Sequence, residues 1–308
     1  MSSNPNPVPQ TVSDTHYRIL KITSALVYLL VVLGGIVCIT DSSSACPDWP
    51  WCYGRLIPPL EVKAIIEYTH RFFTMVTSFF LIATLVMGWV KTPKVKPLKW
   101  LPVLTLLLTG AVSFFGARVV LSGLTPIQAA MDLGFALLVL AVMLVTTMVA
   151  YAYRENPGAL PRFSFKRPLT SLSFLTSLLI FAVLDSGVLV AQKGSVIRCV
   201  GWPMYFGQLA PSNINSLPHI ARLILAAIAS LIIIYLVVQT RKTSDKSSPI
   251  RRTANVLGLF FAFEILIGII MIAVGYQIVL LGFFVVSVVA LWGASVILSA
   301  LLGFSETS

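Results

Sequence analysis

Hydrophobic positions in this chain are not spaced at helical or strand intervals; they run together. Eight apolar stretches, at 19–39, 64–90, 100–121, 127–152, 170–192, 219–240, 253–275 and 278–302, are separated by short polar segments. Each is about the 20 residues that a helix needs to cross a hydrocarbon layer. Lipid offers no hydrogen-bond partners to backbone groups, so the pattern predicts eight transmembrane helices. The expected fold class is an all-α polytopic membrane protein. "SGLTP" (122–126) and the residues 275–277 read as tight hairpins, with Gly and Pro as punctuation. The polar start, 1–15, has no short apolar core with a small-residue cleavage site, so no cleavable signal peptide is read.

Composition supports this. The chain is 57% hydrophobic and 11% charged, against about 25% charged in ordinary soluble domains. Its net charge of +11 would suggest nucleic acid in a soluble protein, but here it has a positional explanation. Fifteen of the 22 basic residues, among them Arg18, Lys91, Lys99, Arg154, Arg167, Arg241 and Arg252, fall on one side of the eight spans. The positive-inside rule makes that side cytoplasmic, with both termini inside and the protein in the cell membrane. Membrane lipid is the expected surroundings, no nucleic-acid partner is expected, and a homo-oligomer is left open.

The halves repeat. Gly35 matches Gly187, and Gly116 and Gly123 match Gly268 and Gly275, all at an offset of 152. Cys46, Trp49, Pro50 and Gly54 match Cys199, Trp202, Pro203 and Gly207 at 153, and His70 matches His219 at 149. Offsets this steady predict a tandem duplication. The expected organisation is a polar tail (1–18), a four-helix bundle (19–152), a linker (153–169), a second four-helix bundle (170–302) and a short tail (303–308). Four spans separate equivalent positions, so the halves share one orientation, unlike inverted-repeat transporters.

Two outward loops, about 40–63 and 193–218, carry the remaining chemistry. The first holds "ACPDWPWCYGRLIPP" (45–59). On an oxidising side Cys46 and Cys52 can pair as a disulfide, whose short loop gives an entropic contribution on the order of 2 kcal/mol. Two free thiols are the alternative, and a metal site is disfavoured because no His accompanies the pair. Cys38, inside the first span, reads as packing, and Cys199 has no near partner. Of three histidines, His16 lies in the polar tail, while His70 and His219 sit near the outer ends of spans two and six. An ionisable residue inside a span marks a functional site by default. Imidazoles facing the interior of four-helix bundles can ligate haem iron; the bland alternative is a hydrogen bond to a neighbouring helix. Glu67 shares a helix face with His70. Arg71 can pair with Glu67 or a haem propionate, and Arg222 can serve the second half likewise; the alternative for both is snorkelling.

"CPDWPWCYGRLIPP", "EYTHR" (67–71) and "VVLSGLTP" (119–126) resemble the haem A synthase family over about residues 20–302. The resemblance implies two haem-binding bundles. The C-terminal one would hold a haem b cofactor; the N-terminal one would take haem O and oxidise its C8 methyl to the formyl of haem A, with Glu67 catalytic and His70 and His219 on iron. It also implies that the Cys46–Cys52 pair supports activity or haem transfer. The implied partners are haem O synthase and cytochrome oxidase assembly factors.

The chain departs from the family pattern. Asp132, next to Met131, stands where the family has a second histidine on the fourth span, and Phe284 stands there on the eighth. Cys38 stands for an arginine after the first span's Gly34–Gly35 pair. On this reading Asp132 faces iron through water, or Met131 ligates it, with helix packing the favoured alternative for Met131; Phe284 cannot. A haem in the second half would then be five-coordinate on His219, or absent. The departures keep open a haem-binding or haem-transfer assembly protein without hydroxylase activity. A small-molecule transporter is the third reading.

Overall fold

A computed structural model describes residues 11–122, 125–157, 162–190 and 217–305. Among them are eight helices: α1 (Asp14–Ile39), α2 (Val62–Val90), α3 (Lys96–Ser122), α4 (Pro126–Glu155), α5 (Pro168–Val190), α6 (Leu217–Thr243), α7 (Pro249–Val274) and α8 (Ile278–Ser305). All eight are long and apolar enough to cross a membrane, as the runs predict. The helices overrun the apolar stretches at several ends because polar caps extend them. Ser13 accepts the N–H of His16 at the start of α1, and Asp14 there meets Arg154 of α4 at 2.6 Å. Thr125 and Gln128 form a reciprocal capping box around Pro126 at the start of α4. α7 ends at Gly275, whose φ of 92° is one that side chains rarely adopt, and α8 starts three residues later.

The helices share a buried apolar core and also expose apolar side chains outward. On α2 the outward stripe is Phe79, Ile82 and Val86, at helical spacing and exposed, as lipid requires. The inward side carries Glu67, His70, Thr74, Thr77 and Ser78.

Packing closes two rings. In the first, α1 touches α2 and α4, and α3 touches the same two, so α2 and α4 are diagonal. In the second, α5 and α7 both touch α6 and α8. The rings meet where α1 packs on α8, α4 on α5 and α4 on α8, which explains why α4 and α8 are the most buried helices. Hydroxyl contacts brace both rings in the same place. Ser24 meets Thr147 at 2.8 Å between α1 and α4; Ser177 meets Ser299 at 3.1 Å between α5 and α8. These pairs repeat at offsets of 153 and 152. Between the rings, Tyr28 donates to the Val286 carbonyl (2.8 Å) and the Trp292 indole to that of Leu137 (3.3 Å).

Candidate functional site

The site begins with glycines. On α1, a Cβ at Gly34 would stand 3.4 Å from Cε1 of His70, so the bare helix backbone is the wall on which the imidazole of α2 rests. On α3, a Cβ at Gly116 would lie 3.8 Å from Oδ1 of Asp132 of α4. His70 is eight residues into α2 and Asp132 six residues into α4, about 12 and 9 Å along their axes. Both helices start at the same end, so the two side chains face the ring interior from opposite corners at similar depth.

Between them lies a cavity of about 790 Å³, lined by residues from all four helices of the first ring, by the 40–61 loop and by Val188 of α5. Pockets for organic cofactors span roughly 300–1,000 Å³. Val, Leu, Ala and Gly make up about half of its wall, hydroxyls such as Thr74, Thr77 and Thr109 join them, and Glu67, His70 and Asp132 are convergent ionisable groups. Nδ1 of His70 and Oδ1 of Asp132 are buried with no hydrogen-bond partner. Two orphaned polar atoms facing an apolar cavity are what a site built for a polar-centred ligand would leave. Among the described residues no group of three or more His, Cys, Asp or Glu could hold a bare metal ion. The donors that face the cavity are one imidazole and two carboxyls on an otherwise largely uncharged wall.

The loop between α1 and α2 covers the cavity mouth. Cys46 and Cys52 form a disulfide, with Cα atoms 4.7 Å apart, that packs fully buried on Ala64 and Tyr68 in the first turns of α2. Asp48, between them, accepts the N–H groups of Tyr53 and Gly54, both at 2.6 Å. That grip holds two consecutive left-handed residues, Tyr53 (φ 56°) and Gly54 (φ 62°). Tyrosine is rarely found there unaided. The N–H groups, Gly54's first, hold the Asp48 carboxyl below the usual carboxylate range. Trp49 and Trp51 reach from the loop into the cavity lining.

Arg71 joins loop to site. Its Nε meets Oε1 of Glu67 at 2.8 Å, and Nη1 donates to the carbonyls of Asp48 and Trp51 at 2.5 Å each. A weaker bond from Nη2 reaches the Cys46 carbonyl at 3.4 Å. Of the two roles expected for Arg71, the structure shows the Glu67 pair and adds the loop. Glu67 is 6% exposed and lines the cavity.

Other expected residues fare differently. Met131 is 39% exposed and is not part of the cavity wall, whereas Asp132 is. Neighbours on a helix point about 100° apart, so Asp132 lines the cavity and Met131 does not. Arg222 is 1% exposed, its Nε donating to the Val183 carbonyl of α5 at 3.2 Å, so snorkelling is corrected to an internal tie. Cys38 is disulfide-bonded and lies in the cavity wall. This corrects its reading as packing: it sits in the last turn of α1, at the loop end. Cys199 and the 193–216 part of the second loop lie outside the described residues, as does the side chain of His219 in the first turn of α6. Phe284 is buried on α8.

Sequence reasoning passed over Asp48, Gly34 as a wall, and two carboxyls inside spans. Glu264 of α7 accepts the Ser287 hydroxyl of α8, while its Oε2 is buried without a partner. Asp185 of α5 has a buried, unpartnered Oδ1, 3.2 Å from where a Gly134 Cβ would be. The signal that could have found both was acids interrupting apolar runs.

Comparison with known proteins agrees with this architecture. A family model described as cytochrome oxidase assembly protein matches residues 17–302. A protein named "Heme A synthase" in Staphylococcus saprophyticus is 26% identical over 223 residues, 70% of this chain and 72% of that one. Its namesake in Staphylococcus aureus strain bovine RF122 / ET3-1 is 22% identical over 277 residues, 89% and 91% of the two chains. In Lysinibacillus sphaericus the figure is 28% over 208 residues, 66% and 67%. With eight spans, a lidded cavity at one end of the first ring and a family match running from the first span to the last, this chain belongs to the cytochrome oxidase assembly protein family that is also the family of the haem A synthases.

Proposed function

We propose that the chain is a haem A synthase-type oxidoreductase that converts haem O to haem A by oxidising the C8 methyl group to a formyl. The observation that carries the reading is the cavity of about 790 Å³ in which Glu67, His70 and Asp132 converge beneath a disulfide-braced loop. When bound, the tetrapyrrole supplies iron-centred redox chemistry. His70 would grip the iron from α2, and the apolar wall from α1, α3 and α4 would seat the macrocycle and keep water out. Glu67 would take or hold a proton at the carboxyl oxygen that Arg71 does not bind. Arg71, bonded to Glu67 and to the loop carbonyls, holds the lid over the site. Trp49 and Trp51 close the mouth at headgroup depth.

The second ring is proposed to hold a haem b through His219, on the strength of its place in the repeat. Its described residues do not by themselves fit: Phe284 has no donor atom. The membrane is proposed to be the cell membrane with both termini cytoplasmic, supported by the basic residues on that side, and the partners to be haem O synthase and oxidase assembly factors. A second reading, a haem-carrying assembly protein without the oxidation, is favoured by Asp132 and Phe284.

Co-expression with a haem O synthase followed by pigment extraction tests the choice. Haem A should accumulate with the wild type and vanish with Glu67→Gln, while the purified variant keeps its Soret band. Haem O alone from both would select the second reading, and haem A from Glu67→Gln would remove the carboxylate's role.

A further inference from the structure

The corner of the cavity opposite His70 does not offer a second strong iron ligand. Asp132 comes from the diagonal helix at similar depth, its Oδ1 buried and unpartnered against Gly116. Met131, the other donor in reach by sequence, turns away from the cavity. A carboxylate is a short side chain, shorter than imidazole by a ring, and Gly116 adds no bulk behind it. The Asp132 side of the cavity therefore presents a short carboxyl in place of a second imidazole.

We infer that the first ring grips its porphyrin from one side only, through His70, and that Asp132 makes the opposite face a binding site for a small exogenous diatomic or imidazole-sized ligand. The inference rests on the haem reading above and deepens it. Asp132 is a positioning and gating residue here: it keeps the far face polar and open, where a histidine at the same helical position would close it.

The test uses full-length protein in detergent, loaded with iron protoporphyrin IX, in a His219→Ala background so that only the first ring reports. The loaded protein should be high-spin, should bind carbon monoxide in the ferrous state within mixing time, and should turn low-spin on addition of free imidazole. Asp132→His should give that low-spin spectrum unaided and slow carbon monoxide binding at least tenfold, whereas Asp132→Asn should stay high-spin. His70→Ala should lose the Soret band, locating the signal. A loaded wild type that is already low-spin and indifferent to carbon monoxide and imidazole overturns the inference and leaves the haem reading standing. An unchanged spectrum in a well-folded Asp132→His overturns it too. Should that variant not fold, the imidazole titration of the unsubstituted site decides alone. Monodisperse protein that takes up no porphyrin overturns both.

Discussion

Gly34 shows how much of the site rests on a side chain that is missing. The His70 ring lies against it at a distance where one methyl just fits. Gly34→Ala should therefore be nearly silent, while Gly34→Leu should expel the imidazole and copy His70→Ala in losing porphyrin uptake. Soret absorbance per mole of folded protein reads both. Such a role could not be seen along the chain, because it depends on which helix lies alongside. Met131 and Asp132 make the same point in reverse. Adjacent residues in a run apolar on every side cannot be phased by hydrophobicity, and only the ring's geometry separates the one facing lipid from the one facing the cavity. Glu67 and His70 were legible because an ionisable group in hydrocarbon needs a reason.

The loop was legible as a rigid lid, from its prolines, tryptophans and cysteines, but its fastener was not. Asp48 acts by holding Tyr53 and Gly54 in a conformation that composition does not announce. Its carboxyl titrates below the ordinary value because the native loop bonds its charged form. The stabilisation is thus complete above the unfolded-state pKa of about 3.9 and is lost as pH falls through the lower native value. Proteolysis of the 40–61 loop should stay slow and flat from neutral pH to about 5 and quicken only under stronger acid. In Asp48→Asn it should be faster throughout. A wild-type loop that opens between pH 6 and 7 would point to a different fastener. Thiol reagents should reach Cys46 and Cys52 only after reduction, and the native pair should then also loosen Arg71, since three of its acceptors are carbonyls of this loop.

At the scale of the molecule, eight spans were legible because run length alone sets them, and the duplication because its offsets are steady. How the two rings share an interface was not. Gly35 of α1 is one such contact: a Cβ there would sit 2.5 Å from Cγ1 of Val285 on α8. Valine is stiff at χ1, so Gly35→Ala should destabilise the protein by about 1–3 kcal/mol, and Val285→Ala should recover most of that. Thermal melts of the two single variants and the double variant measure the coupling; additive losses would mean that the helices part freely. The wall of the first cavity also includes Val188, a residue of the other ring. Duplicated genes commonly stay separable, each copy free to decay or be traded. Here one ring lends the other a piece of its chamber, so a first ring cut away from its neighbour should have a gap in its wall where Val188 now stands.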